Sequence, residues 1–414
     1  MGRTKPEVAD IFCEYGEAYR HKFERSTNSQ QWRTMHAIKV CRTAELGGHI
    51  DRCDLCGHEV ISYNSCRNRH CPKCQSLAKA EWLEARTAEL LPVDYFHVVF
   101  TLPEVLNPLA LQNKREVYNI LFKAVSKTLL TIAADPKHLG ANIGFMAILH
   151  TWGQNLLLHP HLHCAIPGGG LSQDERAWIS CRKKFFLPVR ILSRLYRRFF
   201  LDLITKSFEQ KRLKFYGKIS HLSDPEYFTQ LIKKCFNSEW VVYAKPPFGG
   251  AEKVLDYLGR YTHRIAISNN RLLRVKDGKV SFSWRNYRKE NKAQIMTLEA
   301  EEFIHRFLLH VLPSGFMRIR YFGFLSNRHR TKKFKRCREL LHEHQPLVKS
   351  PIKSMDWKVR YESLTRKPVD LCPFCHKGHL IPIRNLSPLR FPFTRPPPQT
   401  VKNDLNISTL HIHL

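Results

Sequence analysis

Histidines recur at every second position of one short stretch, His159-Pro160-His161-Leu162-His163. Side chains of an extended strand alternate between its two faces, so His161 and His163 should point the same way, about 6.6 Å apart along the strand. The residue between them should face the other way and pack against apolar neighbours, and Leu162 suits that position. The alternation therefore predicts a β-strand with one imidazole face and one apolar face.

Two imidazoles at this spacing can hold one divalent metal ion, because histidine is a common metal ligand. His159 would lie about 13 Å from His163 along a straight strand, so it is expected to stay outside the ligand pair. The alternative is a histidine-rich strand edge that binds no metal.

The balance of charge is extreme, with 67 Lys and Arg against 36 Asp and Glu and a formal net charge of +31. Such an excess favours a polyanionic partner, with nucleic acid first and a membrane surface second. No apolar run of about 18 residues is evident, and the N-terminus has no signal region and no myristoylation signal. We expect a soluble, cytoplasmic protein that does not enter membranes.

The chain has 13 cysteines, seven of them within the first 74 residues. In a long intracellular chain, paired cysteines indicate metal binding rather than disulfides. Cys53 and Cys56 form one CxxC pair, and Cys71 and Cys74 form a second. Two such pairs can complete a tetrahedral zinc site, which predicts a structural Zn²⁺ in a zinc ribbon over about 49–76. Cys66 and His70 lie between the pairs as additional candidate ligands.

Further cationic and thiol groups lie near these motifs or close to the C-terminus. Arg67 and Arg69 lie inside the expected ribbon and could contact phosphates.

Cys372 and Cys375 form a third CxxC pair near His376 and His379, so this segment is either a second zinc knuckle or a loop with reduced thiols. Residues 318–338 hold nine Lys and Arg and no acidic residue, which favours a phosphate-contacting surface over a merely solvated basic face.

Strand and helix patterns alternate irregularly along the chain, which predicts an α+β fold. Residues 95–102, 144–152 and 317–322 have the pattern of buried strands, and 144–152 could pair with the histidine strand as a hairpin. Residues 77–91, 111–134, 186–208 and 299–311 have helical periodicity. We expect an N-terminal region with the zinc ribbon at 1–91, a main domain at 92–340, and a basic, proline-rich C-terminal region at 341–414.

Tyr257 and Tyr261 are four residues apart, so on a helix they would share one face, flanked by Arg260 and Arg264. A plain amphipathic helix with half-buried tyrosines would give the same pattern. Beside a metal-binding histidine pair in a basic chain, however, the phenols become candidate nucleophiles for a phosphodiester. The metal would polarise the phosphate, and the arginines would position the strand.

Three motifs resemble those of one known family, the two-tyrosine HUH transposases of the insertion-sequence ninety-one family. They are residues 151–170 (TWGQNLLLHPHLHCAIPGGG), residues 257–268 (YLGRYTHRIAIS) and residues 65–75 (SCRNRHCPKCQ). Weaker similarity at 240–248 and 307–327 extends the resemblance, in the same order, over roughly 35–330. The match is specific because three separate motifs agree.

The resemblance implies rolling-circle-like cutting and rejoining of single-stranded DNA through a 5′-phosphotyrosine link. It makes Tyr257 and Tyr261 the nucleophiles, and His161 and His163 the ligands of a catalytic Mg²⁺ or Mn²⁺. A third metal ligand is usual in the superfamily, and Gln154 and His150 are the candidates. The implied fold is an HUH-endonuclease-like antiparallel sheet with flanking helices. The sequence has no helicase phosphate loop, so host replication or helicase factors would separate the strands.

Two other functions fit parts of the pattern. A non-catalytic zinc-ribbon protein would bind nucleic acid without cutting it. A metallohydrolase with zinc on the histidines would act on small substrates, which the basic charge does not favour.

Overall fold

The structure, a computed structural model, describes residues 5–74, 82, 90–182, 186–245, 259, 266–286, 292–328, 330–342, 359, 362 and 368–389. Its helices are α1 (Val8–Phe23), α2 (Ser29–Lys39), α3 (Asn107–Gln112), α4 (Lys114–Ala134), α5 (Val189–Glu209), α6 (Pro225–Asn237), α7 (Ala300–Leu309) and α8 (Arg330–Leu340). Its strands are β1 (Gly48–Cys53), β2 (Glu59–Tyr63), β3 (Tyr95–Thr101), β4 (Gly144–Trp152), β5 (Leu158–Pro167), β6 (Gly169–Leu171), β7 (Trp178–Ser180), β8 (Val242–Lys245), β9 (Leu272–Lys276), β10 (Lys279–Asn286), β11 (Lys292–Glu299), β12 (Ile319–Gly323) and β13 (Leu380–Leu386).

A five-stranded sheet in the order β12-β4-β5-β3-β8 forms the centre of the fold. Its neighbouring strands are all antiparallel. The histidine strand β5 is the middle strand, and β4 and β5 form the expected hairpin through a turn at 153–157. The α+β prediction and the antiparallel sheet are confirmed.

One face of the central sheet packs against α4 and α5. Leu162 of β5, Phe100 of β3 and Phe145 of β4 are fully buried in this core together with Leu121 of α4 and Phe200 of α5. Burying a side chain of this size stabilises a fold by about 1.5–3 kcal/mol, so the interface fixes which face of each strand is apolar. The opposite face of the same strands is left to carry the histidines.

The predicted helix at 111–134 is interrupted at Asn113, where the side chain accepts a hydrogen bond from the Lys214 backbone N–H at 2.7 Å.

The helix that follows, α4, differs from the expectation that the chain has no long apolar run. It is long and apolar enough to cross a membrane by length and composition, although no such run was expected, but 61% of its most apolar window is buried inside the protein. A core helix has this character because it is enclosed by apolar neighbours.

A second core joins the N-terminal helices to a later part of the chain. Phe12 of α1 meets Phe307 of α7 edge to face, with ring centroids 5.3 Å apart. Phe282 of the three-stranded β9-β10-β11 sheet is fully buried in the same cluster. The N-terminal residues expected to form a region of their own therefore share a core with residues 266–311.

The C-terminal residues 368–389 also pack back on the N-terminal region. Strand β13 pairs antiparallel with β1, with Gly48 opposite Leu386 and Cys53 opposite Leu380, and completes the sheet β13-β1-β2. The sequence predicted a separate C-terminal region from 341 onward. The described part of that region instead supplies an edge strand to the N-terminal hairpin, because β1 has an open edge on the side away from β2.

Candidate active site and cysteine clusters

Three histidines converge on one face of the central sheet. His161 and His163 lie two residues apart on β5, and His150 on β4 is the direct cross-strand partner of His161. Cross-strand partners share a face, so the register adds His150 to the pair that the alternation predicts. Leu162 lies on the opposite face and is fully buried, as the alternation requires.

The imidazoles approach closely enough to share one ion. The Nε2 atoms of His161 and His163 are 3.1 Å apart, and one ligand nitrogen from each of the three histidines lies within 4.8 Å of the others. His150 and His163 are buried. The His150 ring stacks on Trp152 at a centroid distance of 4.7 Å, which restricts its orientation.

Hydrogen bonds on the far side of two rings set their orientation. His161 Nδ1–H donates to the His159 carbonyl oxygen at 2.6 Å, so its Nε2 lone pair remains available for a metal. His163 Nδ1 is joined to His97 Nε2 at 2.8 Å, which turns the His163 Nε2 toward His161. A metal-binding histidine is usually held by such a partner on its other nitrogen.

Burial favours the neutral form of two rings at this site, His161 and His97. Desolvation, with a smaller contribution from His159, lowers the pKa of His161 to about 3. Desolvation and the nearby Lys245 lower the pKa of His97 to about 4. Neutral imidazole is the form that binds a metal, so His161 is in the required protonation state at neutral pH.

The sequence did not predict His97 as a residue of this site, and it gave His150 only as one of two candidates for the third ligand. Of the two candidates for the third ligand, His150 faces the pair, whereas Gln154 lies in the β4–β5 turn with its carbonyl accepting a hydrogen bond from Arg271. His97 was missed, although a lone histidine inside the apolar strand Tyr95–Thr101 was a visible signal.

The first cysteine cluster, called here the N-terminal cluster, comprises Cys41, Cys66, Cys71 and Cys74. Cys74 Sγ lies 3.5 Å from Cys41 Sγ and 3.6 Å from Cys66 Sγ. Cys41 was missed because it follows α2, outside the paired spacing that drew attention to the ribbon. The candidate ligand Cys66 belongs to this cluster.

The second cluster, called here the bridging cluster, comprises Cys53, Cys56, Cys372 and Cys375. Its closest Sγ pairs, Cys53 with Cys375 and Cys56 with Cys372, are both 3.7 Å apart. A hydrogen bond from the Gly378 N–H is the largest of the effects that lower the pKa of Cys375 to about 6. The third CxxC pair is therefore placed against the first.

The expected single site of Cys53, Cys56, Cys71 and Cys74 is thus corrected to two separate clusters. Cys53 and Cys56 lie at the turn of the β1–β2 hairpin, and the chain returns along β2 before it reaches Cys66. Gly48 and Cys53, five steps of about 3.4 Å apart on β1, lie about 17 Å from each other along the strand. The two CxxC pairs therefore lie at opposite ends of the hairpin.

Several other predicted ligands and DNA contacts have different surroundings. His70 is buried, and its Nε2 lies 3.5 Å from the Leu312 backbone N–H rather than among the thiols. Arg69 was expected to contact phosphate, but its guanidinium donates to the carbonyls of Phe316 and Pro313 at 2.6 and 2.8 Å. Burial lowers its pKa, because the charge is held inside the protein. Arg67 is exposed.

The basic run at 318–338 is only partly a surface. Burial lowers the pKa of Arg318 to about 10, and Arg320 donates to Asn119 Oδ1 at 2.6 Å with its guanidinium over Phe122. Lys333 pairs with Glu175 at 2.7 Å. The exposed cations of the run, among its described residues, are Arg328, Lys332 and Lys335.

Tyr257, Tyr261, Arg260 and Arg264 lie outside the described residues, as does most of the predicted helix at 77–91. Gly259, between the two tyrosines, is described and is helical. The roles expected for the four side chains stay predictions.

The structure thus combines an antiparallel sheet that has a histidine cluster at its centre with two groups of four cysteines, the N-terminal cluster and the bridging cluster. Two family models match the chain. A model described as "Putative transposase" matches residues 144–333, which include all three clustered histidines, and a "Transposase zinc-binding domain" matches residues 11–102.

Two curated relatives point the same way. The "Putative transposase y4qJ" of Sinorhizobium fredii is 56% identical over 92% of this chain and 96% of its own length. The "Transposase for insertion sequence element IS801" of Pseudomonas savastanoi pv. phaseolicola is 29% identical over 71% of this chain and 70% of its own length. No solved structure matches the chain significantly. The chain belongs to the transposases of the insertion-sequence ninety-one family, and its zinc-binding domain and cysteine clusters support structural Zn²⁺.

Proposed function

We propose that this transposase cuts and rejoins single-stranded DNA through a covalent 5′-phosphotyrosine link, with a divalent ion on His150, His161 and His163 assisting the reaction. The observation that carries the proposal is the convergence of these three imidazoles, with ligand nitrogens within 4.8 Å of one another, on the middle of the central sheet. Among the residues that the structure describes, three side chains offer ligand atoms at this position. Three protein ligands leave a coordination position open, as in a catalytic site, whereas a structural zinc site has four.

The donor set bears on the choice of metal. Three imidazole nitrogens suit a divalent transition ion better than Mg²⁺, which prefers oxygen ligands throughout. Of the two expected ions we therefore favour Mn²⁺ over Mg²⁺. When bound, the ion would polarise the scissile phosphate and stabilise the charge that develops on it. His97 and the His159 carbonyl hold two of the ligand rings in place for it.

The tyrosines would carry the covalent chemistry. The phenol oxygen of Tyr257 or Tyr261 loses its proton and attacks the phosphorus; a new bond to phosphorus forms, the bond to the 3′ oxygen breaks, and the leaving oxygen takes up a proton as a 3′-hydroxyl. The reverse attack by another 3′-hydroxyl rejoins the DNA and frees the tyrosine. Two tyrosines permit two such exchanges without an external energy source. Arg260, Arg264 and the exposed Arg67 would position the strand through phosphate contacts.

We also propose that Cys41, Cys66, Cys71 and Cys74 hold the structural zinc of the N-terminal domain, since their thiols converge within the range of the domain match. The protein would act in the cytoplasm on the DNA ends of its own element, with host replication or helicase factors exposing the single strand.

The test uses labelled single-stranded oligonucleotides that tile both ends of the element encoding the chain. With Mn²⁺, the wild-type chain should give an adduct that survives denaturing electrophoresis, and Tyr257→Phe combined with Tyr261→Phe should abolish it. Tyr216→Phe is the matched control, because Tyr216 is an exposed tyrosine remote from the histidines in the chain.

Adducts that persist in the double variant would refute the nucleophile assignment. DNA binding with no adduct in any variant would instead support the non-catalytic zinc-ribbon function, and turnover of small phosphoesters without DNA would support the metallohydrolase.

A further inference from the structure

The bridging cluster draws its four thiols from two segments that are more than 300 residues apart in the chain. Cys56 and Cys372 are separated by 316 positions, and Cys53 and Cys375 by 322. The central sheet and both of its covering helices lie between them in sequence. The match to the transposase zinc-binding domain ends at residue 102, so half of this cluster lies outside it. We propose that the bridging cluster is a second structural zinc site, which fastens the C-terminal segment to the N-terminal hairpin.

The two halves of the cluster have the same backbone turn. The Gly57 N–H donates to the Cys53 carbonyl at 3.1 Å, and the His376 N–H donates to the Cys372 carbonyl at 3.0 Å. Both donors have a left-handed backbone, with φ of +73° at Gly57 and +56° at His376. Each CxxC pair is thus wound into one tight knuckle, which directs two sulfurs to the same side, as a tetrahedral metal site requires.

Backbone N–H groups point at the sulfurs. Cys53 Sγ accepts from Cys56 N–H at 3.4 Å, Cys372 Sγ accepts from Phe374 N–H at 3.4 Å, and Cys375 Sγ accepts from Gly378 N–H at 3.3 Å. Donors aimed at sulfur favour the thiolate, which is the form that binds zinc. Both knuckles carry this feature, although they come from opposite ends of the chain.

The knuckles fit each other closely beyond the thiols. Asp54 and His379 exchange two hydrogen bonds, with Asp54 N–H donating to the His379 carbonyl at 3.0 Å and His379 N–H donating to Asp54 Oδ1 at 2.7 Å. The rings of His58 and Phe374 stack at 4.9 Å. A Cβ at Gly378 would lie 2.5 Å from Cys53 Sγ, so a glycine is required where the C-terminal knuckle meets the N-terminal one.

Zinc accounts for this arrangement better than disulfide bonds. The closest sulfurs across the cluster are 3.7 Å apart, whereas a disulfide needs about 2.05 Å. All four sulfurs lie within 4.8 Å of one another, as the ligands of a single ion would. Because the ligands come from both ends, the site is complete only after the chain between them has folded, and zinc binding should then hold β13 on β1.

The first test uses the full wild-type chain with differential alkylation by N-ethylmaleimide and peptide mass spectrometry. Cys56 is exposed and Cys375 is half-buried, so both should react readily if they bind nothing. We expect both thiols to be protected in the zinc-loaded chain and to react after zinc is removed with a chelator. Cys13, an exposed thiol on α1, is the internal control and should react in both states. Rapid alkylation of Cys56 and Cys375 in the zinc-loaded chain would overturn the proposal.

The second test counts tetrathiolate sites after substitution with Co²⁺, whose sulfur-to-metal charge-transfer band excludes ions bound by the histidines. The wild-type chain should show two such sites, one for each cysteine cluster. Cys372→Ser combined with Cys375→Ser should halve the band. The single variant Cys375→His, which keeps the other three thiols, should retain metal binding at the site. Cys13→Ser should leave the band unchanged. An undiminished band in the double serine variant would contradict the proposal. If that variant does not fold, the wild-type alkylation result still decides.

Discussion

His97 Nε2 and His163 Nδ1 are joined by a hydrogen bond of 2.8 Å between neighbouring strands of the central sheet. The two rings are nearly parallel, with an interplanar angle of 9°. His97 lies on β3 and occupies the same face as His163, because Val99, two residues along β3, is the direct partner of His163. The pair explains how the His163 ring is held with its Nε2 toward His161, where we propose that the metal binds.

His97→Phe should weaken Mn²⁺ binding by about 10–100-fold, which is the usual cost of removing a partner that orients a metal-binding histidine. His97→Gln should lose less, since its amide can still hydrogen-bond to His163 Nδ1. The measurement is a titration of Mn²⁺ followed by the electron paramagnetic resonance signal of the free ion.

His161→Ala combined with His163→Ala defines the background in that titration, and His221→Ala, an exposed histidine outside the sheet, is the control. Equal Mn²⁺ affinity for His97→Phe and the wild-type chain would show that His97 does not orient the ligand.

His150 and Gln154 were competing candidates for the third ligand, and the structure favours His150. His150→Ala should therefore reduce Mn²⁺ affinity at least tenfold, because one of three ligands is removed. Gln154→Ala should stay within about twofold of wild type, since the contact with Arg271 is made by the backbone carbonyl of Gln154. The same Mn²⁺ titration compares the two variants, and a larger loss with Gln154→Ala would reverse the assignment.

Leu162, between His161 and His163, tests which face of β5 is buried. It is fully buried against the helices, so Leu162→Ala should lower the free energy of unfolding by about 2–5 kcal/mol, measured by urea denaturation. Leu157→Ala is the matched control: Leu157 is 43% exposed in the adjacent turn and should change stability by no more than about 0.5 kcal/mol. Similar losses for the two variants would be inconsistent with the described sheet faces.

His310 gives a prediction for pH dependence that does not involve a metal ligand. Its Nε2 bonds to the Leu156 carbonyl at 2.9 Å, and burial lowers its pKa to about 3, below the ordinary value near 6.5. The unfolded chain therefore takes up the proton first as the pH falls. The stabilising contribution of neutral His310 is complete above about pH 6.5 and is lost progressively toward pH 3.

At pH 5 this loss amounts to about 2 kcal/mol, from 1.36 kcal/mol for each unit below 6.5. His310→Gln should remove that part of the pH dependence, measured as the difference in free energy of unfolding between pH 7 and pH 5. His21→Gln, on an exposed part of α1, should leave the difference as in wild type. An unchanged pH dependence in His310→Gln would mean that other groups cause the acid sensitivity.

Local features of this protein could be predicted well from its sequence. The strand Gly144–Trp152 and the outward and inward faces of His161, Leu162 and His163 follow from alternation along one strand. Each CxxC pair could be identified as a candidate metal-binding turn because its two sulfurs are close in sequence, and the structure places each pair in a group of four cysteines. In all these cases the interacting groups belong to a single element.

The sequence by itself thus determined that the chain has an α+β fold, a strand with His161 and His163 on one face, and several CxxC pairs. Only the tertiary structure decided that His150 and His97 join the histidines, because this depends on the register of β4, β5 and β3. It also decided that Cys53 and Cys56 meet Cys372 and Cys375 rather than Cys71 and Cys74. The physical reason is that spacing along the chain fixes side-chain directions within one element, whereas the pairing of distant strands depends on burying the apolar faces of the whole fold.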